Sequence, residues 1–251
     1  MRITLTPEQY ATAFGLLART ARHHENIGRF VEERVLPHLP ARPSLLDVGA
    51  GPGTVAQRLA PHFGSLTLLE PNREQIRALK LPGATIVHST LEEHSSSEPY
   101  DLVVCSHVLY HVPFADWGGF IDRLLAFTRP GGFCLVLLSA TRGQNYDLHR
   151  DFSEPEAVSP RLLQVLREKR IPHEVAPAVN AFSASTFEEM NTLCRFFVYE
   201  DCYTAEQLAA MTGEELRALD DKIRVHTERC LASDGVYRLE QEDELILIPK
   251  P

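Results

Sequence analysis

The chain has no long hydrophobic run, no paired cysteine motif and no excess of basic residues. No apolar stretch approaches the roughly 18 residues that a membrane-spanning helix needs, and residues 1–10 lack the apolar core of a secretory signal. The five cysteines are an odd number and contain no C-x-x-C pair, which disfavours a disulfide framework or a zinc site. The sequence therefore predicts a cytoplasmic protein with reduced cysteines and no bound metal.

The charge of the chain indicates its class of partner, and its length indicates the number of domains. The chain carries 25 lysines and arginines against 34 aspartates and glutamates, a net charge of −9. A nucleic-acid partner would need a basic face, so we expect a small-molecule partner, with no nucleic acid and no membrane. The length of 251 residues, of which 44% are apolar, is enough for one globular domain with a sizeable core.

Apolar strand-like runs alternate with helical segments from residue 44 to residue 139. The pattern predicts strands at 44–48, 66–69, 84–87, 101–106 and 133–139, with Pro130-Gly131-Gly132 as the turn into the last of them. Such alternation is typical of an α/β fold with a doubly wound parallel sheet. Residues 143–153 read as an irregular loop, and 235–239 and 244–249 as two separate strand-like segments. A helical cap over 1–43, a core over 44–140, an insertion over 141–234 and a strand region over 235–251 would form one domain.

A glycine loop follows the first predicted strand. Asp47 and Val48 lead into Gly49-Ala50-Gly51-Pro52-Gly53, and a helical run opens at Thr54. Glycines permit a tight strand-to-helix turn and close backbone approach to a ligand, and the helix start offers free N–H groups. Thr54 stands where a dinucleotide fingerprint has its third glycine, so three interpretations compete: a nucleoside cofactor, a dinucleotide, and a turn that binds nothing.

Glu70 closes the second predicted strand, where an acid can accept both hydroxyls of a ribose. The G-x-G-x-G loop with this acid resembles the class I S-adenosylmethionine-dependent methyltransferases. The resemblance implies a seven-stranded Rossmann-like sheet with an antiparallel last strand and S-adenosylmethionine as the cofactor. The group that meets adenine stays open, because Ser89 and Thr90 stand where relatives often place an acid. The expected cofactor-binding residues are Asp47, Gly49, Ala50, Gly51, Gly53, Glu70, Pro71, Ser89, Thr90, Leu91, Ser106 and His107.

Several further segments resemble histamine N-methyltransferase along nearly the whole chain. They include the Glu70-Pro71 pair, the Leu109-Tyr110 step after the fourth strand and the aliphatic final strand. That family holds its amine with a carboxylate, a glutamine and an asparagine. The matching positions here carry His23 or His24, His107, and Glu240 or Gln241, so the acceptor can differ from histamine. Together with aromatic residues suited to a cation, the expected substrate-binding residues are Tyr10, Phe14, His23, His24, Tyr110, Phe196, Glu240 and Gln241.

Methyl transfer from a sulfonium is an in-line displacement that depends on positioning the nucleophile, and an ammonium must also lose a proton. Histidine has a suitable pKa for that task. His107, Tyr110 and His111 follow the fourth strand and are the expected catalytic residues. The sequence therefore predicts methyl transfer to a nitrogen of a small amine or imidazole-like metabolite. Two alternatives stay open: an oxygen or carbon acceptor of a specialised metabolite, and a cofactor-binding subunit without activity.

Overall fold

Strands and helices alternate through the computed structural model, which describes residues 7–96, 98–154 and 157–251, without the side chains of residues 7–11, Phe14, Ala18 and Ala78. The strands are β1 (Ser44–Val48), β2 (Ser65–Leu69), β3 (Thr85–Val87), β4 (Tyr100–Ser106), β5 (Thr128–Ser139), β6 (Glu174–Ala184) and β7 (Tyr237–Pro249). The α-helices are α1 (Pro7–Thr20), α2 (His23–Arg34), α3 (Thr54–Leu59), α4 (Arg73–Ala78), α5 (Trp117–Phe127), α6 (Gln144–Arg150), α7 (Val158–Glu168), α8 (Phe187–Asp201), α9 (Ala205–Ala210) and α10 (Gly213–Arg229).

The strands form one sheet in the order β3-β2-β1-β4-β5-β7-β6. β1 pairs in parallel with β2 and with β4, β4 pairs in parallel with β5, and β7 runs antiparallel to β5. Four of the five residues of β1 and five of the seven of β4 are buried, as expected for parallel strands covered on both faces. The predicted doubly wound α/β class with an antiparallel last strand is confirmed.

The chain groups into two compact units. One contains residues 1–22, 140–157 and 179–242, and the other contains residues 23–139, 158–178 and 243–251. The first unit is built around α8 and α10, with Leu193, Val198 and Ile223 in its core. The second holds the pairings of β1 to β5 and the last residues of β7, with apolar layers on both sides of the strands. Of the described helices, none combines the length and the apolar character that a membrane crossing requires.

Three predictions about local structure are wrong. Residues 144–150 form a helix rather than a loop, because Asn145 and Leu148 are buried on one face of a short amphipathic turn. The two predicted C-terminal segments are one strand, β7. Residues 130–132 lie within β5, where the Gly131 amide donates to the Lys250 carbonyl and the Lys250 amide donates to the Gly132 carbonyl. Pairing with β7 therefore replaces the predicted turn.

Ion pairs fasten α2 to α3, the helix that follows the glycine loop. The Arg58 guanidinium donates to Glu25 at 3.1 Å and to Glu32 at 2.7 Å, so it lies across α2 between the two acids. Gly28 makes room for it, since a Cβ at that position would stand 2.6 Å from Arg58 Cζ. On its other face α2 buries Ile27 and Val31 against the second unit's core.

We expect Gly28→Ala to lower the free energy of unfolding by about 1 kcal/mol, because the methyl group must displace Arg58 from both acids. Gly119→Ala in α5 is the matched control. Its Cβ would meet nothing within 4 Å, so the better helix propensity of alanine should raise stability by about 0.5 kcal/mol or more. Urea titration of both variants measures the difference, and equal gains in the two would contradict the packing role of Gly28.

Candidate functional site

The glycine loop after β1 is left-handed at three positions, with φ of +67° at Gly49, +54° at Gly51 and +81° at Gly53. A Cβ on Gly49 would lie 2.5 Å from Val108 Cγ2, and one on Gly53 would lie 3.2 Å from Leu79 Cγ. A Cβ on Gly51 would meet no protein atom within 4 Å. Packing therefore explains the outer two glycines, whereas the space beside Gly51 is open for a ligand to approach the backbone.

Glu70 at the end of β2 holds this loop. Its carboxylate accepts the Gly51 amide at 2.7 Å through Oε2 and the Asn72 amide at 2.7 Å through Oε1. Both oxygens are thus held in place by backbone amides, and only 6% of the residue is exposed. The predicted ribose acceptor is thus also the residue that ties the end of β1 to the end of β2.

Asp47 in β1 is a second buried acid at this edge of the sheet. It is 2% exposed, and its Oδ2 has no hydrogen-bond partner among the described residues. Burial, together with the nearby Glu70 carboxylate, raises the pKa of Asp47 to about 7, although a hydrogen bond from the Ala56 amide opposes the shift. A buried carboxyl with one unpaired oxygen beside a glycine loop is suited to a cationic group of a ligand.

The other expected cofactor residues lie at the ends of β1 to β4. Ala50 is buried, and its amide donates to the Leu69 carbonyl. Ser89 and Thr90 are partly exposed, and Pro71 is exposed. The side chain of Leu91 is buried in the core, and its carbonyl accepts from Arg123. Ser106 Oγ is buried and has no partner among the described residues.

His107 follows β4 in a left-handed conformation, with φ of +56°. This conformation is uncommon for a residue with a side chain and is often found at functional sites. Its Nδ1 lies 3.1 Å from Tyr110 Oη, and the two rings stack at 5.8 Å. Its Nε2 lies 3.9 Å from Oδ2 of Asp243, which is fully buried. Burial lowers the pKa of His107 to about 4, so the ring is neutral at pH 7.

His23 and His24 of α2 have different neighbours, as expected for adjacent residues of a helix. The His23 ring meets the His107 ring edge-on at 5.6 Å. Burial, followed by the nearby His107 and His24, lowers the pKa of His23 to about 4. His24 instead lies 3.7 Å from Glu25. The structure therefore brings together His23, His107 and Tyr110 of the predicted residues.

The remaining expected residues are placed differently. His111 is exposed in a short 3-10 helix. Phe196, Glu240 and Gln241 belong to the first compact unit, where Phe196 packs on Phe197, the Glu240 amide donates to Gln144 and the Gln241 carbonyl accepts from Asn145. The side chains of Tyr10 and Phe14 lie outside the described residues. The sequence analysis did not single out Asp243 or Ser139. Asp243 directly precedes the predicted aliphatic strand at 244–249, and this position of an acid was the signal that could have identified it.

This edge of the sheet fits S-adenosylmethionine, the cofactor expected from the sequence. The open space at Gly51 admits a ligand to the backbone, and Asp47 Oδ2 provides an unpaired acceptor for an ammonium. Glu70 has further lone pairs for ribose hydroxyls beyond the two amides that it accepts. We expect these three residues to hold the cofactor.

We expect Gly51→Ala to weaken S-adenosylmethionine binding about tenfold or more, because the methyl group occupies the space that the ligand needs. The left-handed backbone should also cost about 1 kcal/mol of stability. Gly83→Ala is the matched control. Its φ is +82° and its Cβ would also meet nothing within 4 Å, but it precedes the amino end of β3, whereas the glycine loop follows the carboxyl end of β1. Titration calorimetry decides the point: wild-type affinity in Gly51→Ala would contradict the assignment.

The pKa of Asp47 makes binding of this cofactor depend on pH. The free protein holds a proton on Asp47 below about pH 7, and a cationic ligand favours the ionised form. Affinity should therefore fall about tenfold between pH 7 and pH 5.5, where His23 and His107 remain neutral and the cofactor's own amino group remains protonated. Calorimetry in two buffers of different ionisation enthalpy should detect proton release.

Asp47→Asn provides the control for this pH dependence. It removes the titrating carboxyl while keeping its shape, so we expect weaker binding whose affinity is constant over the same pH range. A slope that persists in Asp47→Asn would assign the titration to another group.

The sequence of the chain is similar to known methyltransferases. Residues 19–193 match a family described as a methyltransferase domain. The ubiquinone biosynthesis O-methyltransferase of Vibrio parahaemolyticus serotype O3:K6 is 32% identical over 96 residues, which cover 35% of this chain and 40% of that protein. The similarity thus spans less than half of the length of such curated relatives.

Two solved structures share the fold. A protein of Bacillus halodurans C-125, provisionally assigned as a methyltransferase, superimposes with a TM-score of 0.58 at 18% identity, over 90% of this chain and 99% of that one. The N-methyltransferase NodS of Bradyrhizobium japonicum WM9 superimposes with a TM-score of 0.50 at 14% identity, over 92% and 96%. Since the family match covers more than half of the chain, the protein belongs to the methyltransferase-domain family, and it shares the Rossmann-like α/β fold of these structures.

Proposed function

We propose that the protein transfers a methyl group from S-adenosylmethionine to a nitrogen of a small amine or imidazole-like metabolite, and that His107 accepts the proton that this nitrogen loses. The single observation that carries the proposal is the neutral His107 ring, held after β4 between His23, Tyr110 and Asp243. The resemblance of the sequence to histamine N-methyltransferase supports a nitrogen acceptor.

Methyl transfer to a protonated amine requires a methyl donor and the removal of a proton from the acceptor. The cofactor supplies an electrophilic methyl group on a positively charged sulfur. An alkyl amine is protonated in water near neutral pH, so its nitrogen must lose a proton before it has a lone pair to donate, whereas an aryl amine must lose a proton from its nitrogen once the methyl group has been transferred. An imidazole ring that is neutral at pH 7 can take that proton, and burial keeps His107 in this state. His23 and Tyr110 border the same ring and are the residues that we expect to contact the acceptor.

An oxygen acceptor is the second candidate. It is favoured by relatives whose names describe O-methyltransferases of ubiquinone biosynthesis, matched over 96 residues. A phenolic hydroxyl also has to lose a proton when it attacks a methyl group, and the same histidine could accept it. The two candidates therefore differ in the acceptor atom rather than in the role of His107.

The test is the release of S-adenosylhomocysteine from S-adenosylmethionine with a panel of imidazoles, aryl amines, alkyl amines and phenols. We expect turnover with one of the nitrogen classes. His107→Ala should lower kcat/KM for that acceptor by between about 10²-fold and 10⁴-fold, the usual contribution of a general base, and leave cofactor affinity unchanged.

His38→Ala is the matched control, since the His38 ring packs on Phe133 in the middle of β5 and should affect neither quantity. Turnover confined to phenols would replace the nitrogen acceptor by an oxygen acceptor. Cofactor binding without turnover on any acceptor would favour a non-catalytic subunit. Loss of cofactor affinity in His107→Ala would move His107 into the cofactor site.

A further inference from the structure

The His107 ring is held from three sides. Tyr110 stacks on it at an interplanar angle of 17° and meets Nδ1 through its hydroxyl. The His23 ring meets it edge-on, and Asp243 lies beyond Nε2. Its backbone is fixed as well, because the His107 amide donates to the Leu137 carbonyl at 3.0 Å. The ring therefore has a defined orientation, and its two nitrogens have different neighbours.

The neighbours of Nδ1 favour one tautomer. Tyr110 Oη accepts the Ser139 amide at 2.7 Å and lies 3.0 Å from Ser139 Oγ. A phenol has one proton; with that proton on the bond to Ser139 Oγ, the contact between His107 and Tyr110 is made by a proton on Nδ1. Nε2 then carries the lone pair and is the atom that can accept a proton.

Asp243 faces that atom from β7. It pairs with Ser139 in the antiparallel register of β5 and β7, which fixes it beside the residue that orients Tyr110. Its Oδ2 is 3.9 Å from Nε2, too far for a hydrogen bond but within ion-pair range. Such a carboxylate has little effect on a neutral imidazole and stabilises an imidazolium.

The other groups that face His107 do not supply this charge. His23 is neutral at pH 7, because its pKa is lowered to about 4. Tyr110 contributes a hydroxyl. Among the described contacts of the ring, the acidic group is Asp243, whose side chain is fully buried.

We propose that Asp243 is a positioning residue for proton transfer, acting with Tyr110 and Ser139 to present His107 Nε2 as the proton acceptor and to stabilise the imidazolium that results. In this step an N–H bond of the acceptor breaks, its electron pair stays on the acceptor nitrogen, and the proton forms a bond to Nε2. The inference rests on the proposed function of His107. It adds the residue that favours the protonated form of the base.

The first test is spectroscopic and needs no acceptor. In protein labelled with ¹⁵N at histidine, we expect His107 to show a protonated Nδ1 and an unprotonated Nε2 at pH 7. Asp243→Asn should lower the titration midpoint of His107 by about one pH unit or more, because an opposite charge at this distance is removed. Tyr110→Phe, at a residue that is 39% exposed and therefore safe for folding, should shift the tautomer balance towards Nε2–H.

Glu242→Gln is the matched control, since it removes a carboxylate one residue earlier in β7 that pairs with Arg142 instead. It should leave the His107 midpoint unchanged. An Nε2–H tautomer in the wild-type protein, or equal midpoints in wild type and Asp243→Asn, would overturn the proposal.

The second test is kinetic, with the acceptor that the panel identifies. Asp243→Asn should lower kcat about tenfold or more while calorimetry finds unchanged cofactor affinity. Unchanged kcat would overturn the catalytic part of the proposal even if the midpoint moves. If the wild-type enzyme turns over no acceptor, the proposed function fails, and the spectroscopic comparison still decides whether Asp243 controls His107.

Discussion

The hydrogen bond from the Gly51 amide to the Glu70 carboxylate is the contact on which the candidate cofactor site depends. It joins the ends of β1 and β2, two parallel strands whose register already brings Val48 beside Leu69. The second Glu70 oxygen holds the Asn72 amide, and Asn72 in turn caps α4. One buried carboxylate therefore fixes the loop, the end of the neighbouring strand and the start of the next helix. A loop that is held in this way requires little further ordering when a ligand binds.

The same carboxylate has an electrostatic consequence for its neighbour. Glu70 contributes to the raised pKa of Asp47, which is buried beside the loop. Two acids in a region of low dielectric cannot both be ionised without cost unless a cation is present. The loop is thus preorganised in shape, whereas its charge is compensated only when a positively charged ligand is bound. Shape and charge of the cofactor site follow from one residue pair at the ends of two strands.

Sequence patterns predicted the sheet well where strands are buried on both faces. The bounds of β1 are those predicted, and those of β4 differ by one residue, because continuous apolar runs between helices have few other structures open to them. Helix α6 was missed because its polar sequence has only two buried positions, Asn145 and Leu148, which are specified by tertiary packing. Residues 240–243 in the middle of β7 were missed because they are all charged or polar and interrupt the apolar pattern.

The candidate site was also predicted only in part from the sequence. Local signals identify the glycine loop, Glu70 and His107, since each follows a recognisable strand. The approach of His107 to Asp243 depends on the pairing of β5 with β7, two strands that are far apart in the sequence. No local pattern encodes that register, so the partner of the histidine becomes visible only in the folded chain.

Three buried carboxylates and two neutral histidines at one edge of the sheet suggest why the site suits this chemistry. Asp47, Glu70 and Asp243 are at most 6% exposed, and burying an ionised carboxylate is costly unless it is paired or hydrogen-bonded. Methyl transfer moves positive charge from a sulfonium to the acceptor and then to the base. Under the proposed function, Asp47 and Glu70 lie beside the loop that would hold the sulfonium cofactor, and Asp243 lies 3.9 Å from His107, the proposed base. Acidic groups would then stand at both ends of the path that the positive charge takes.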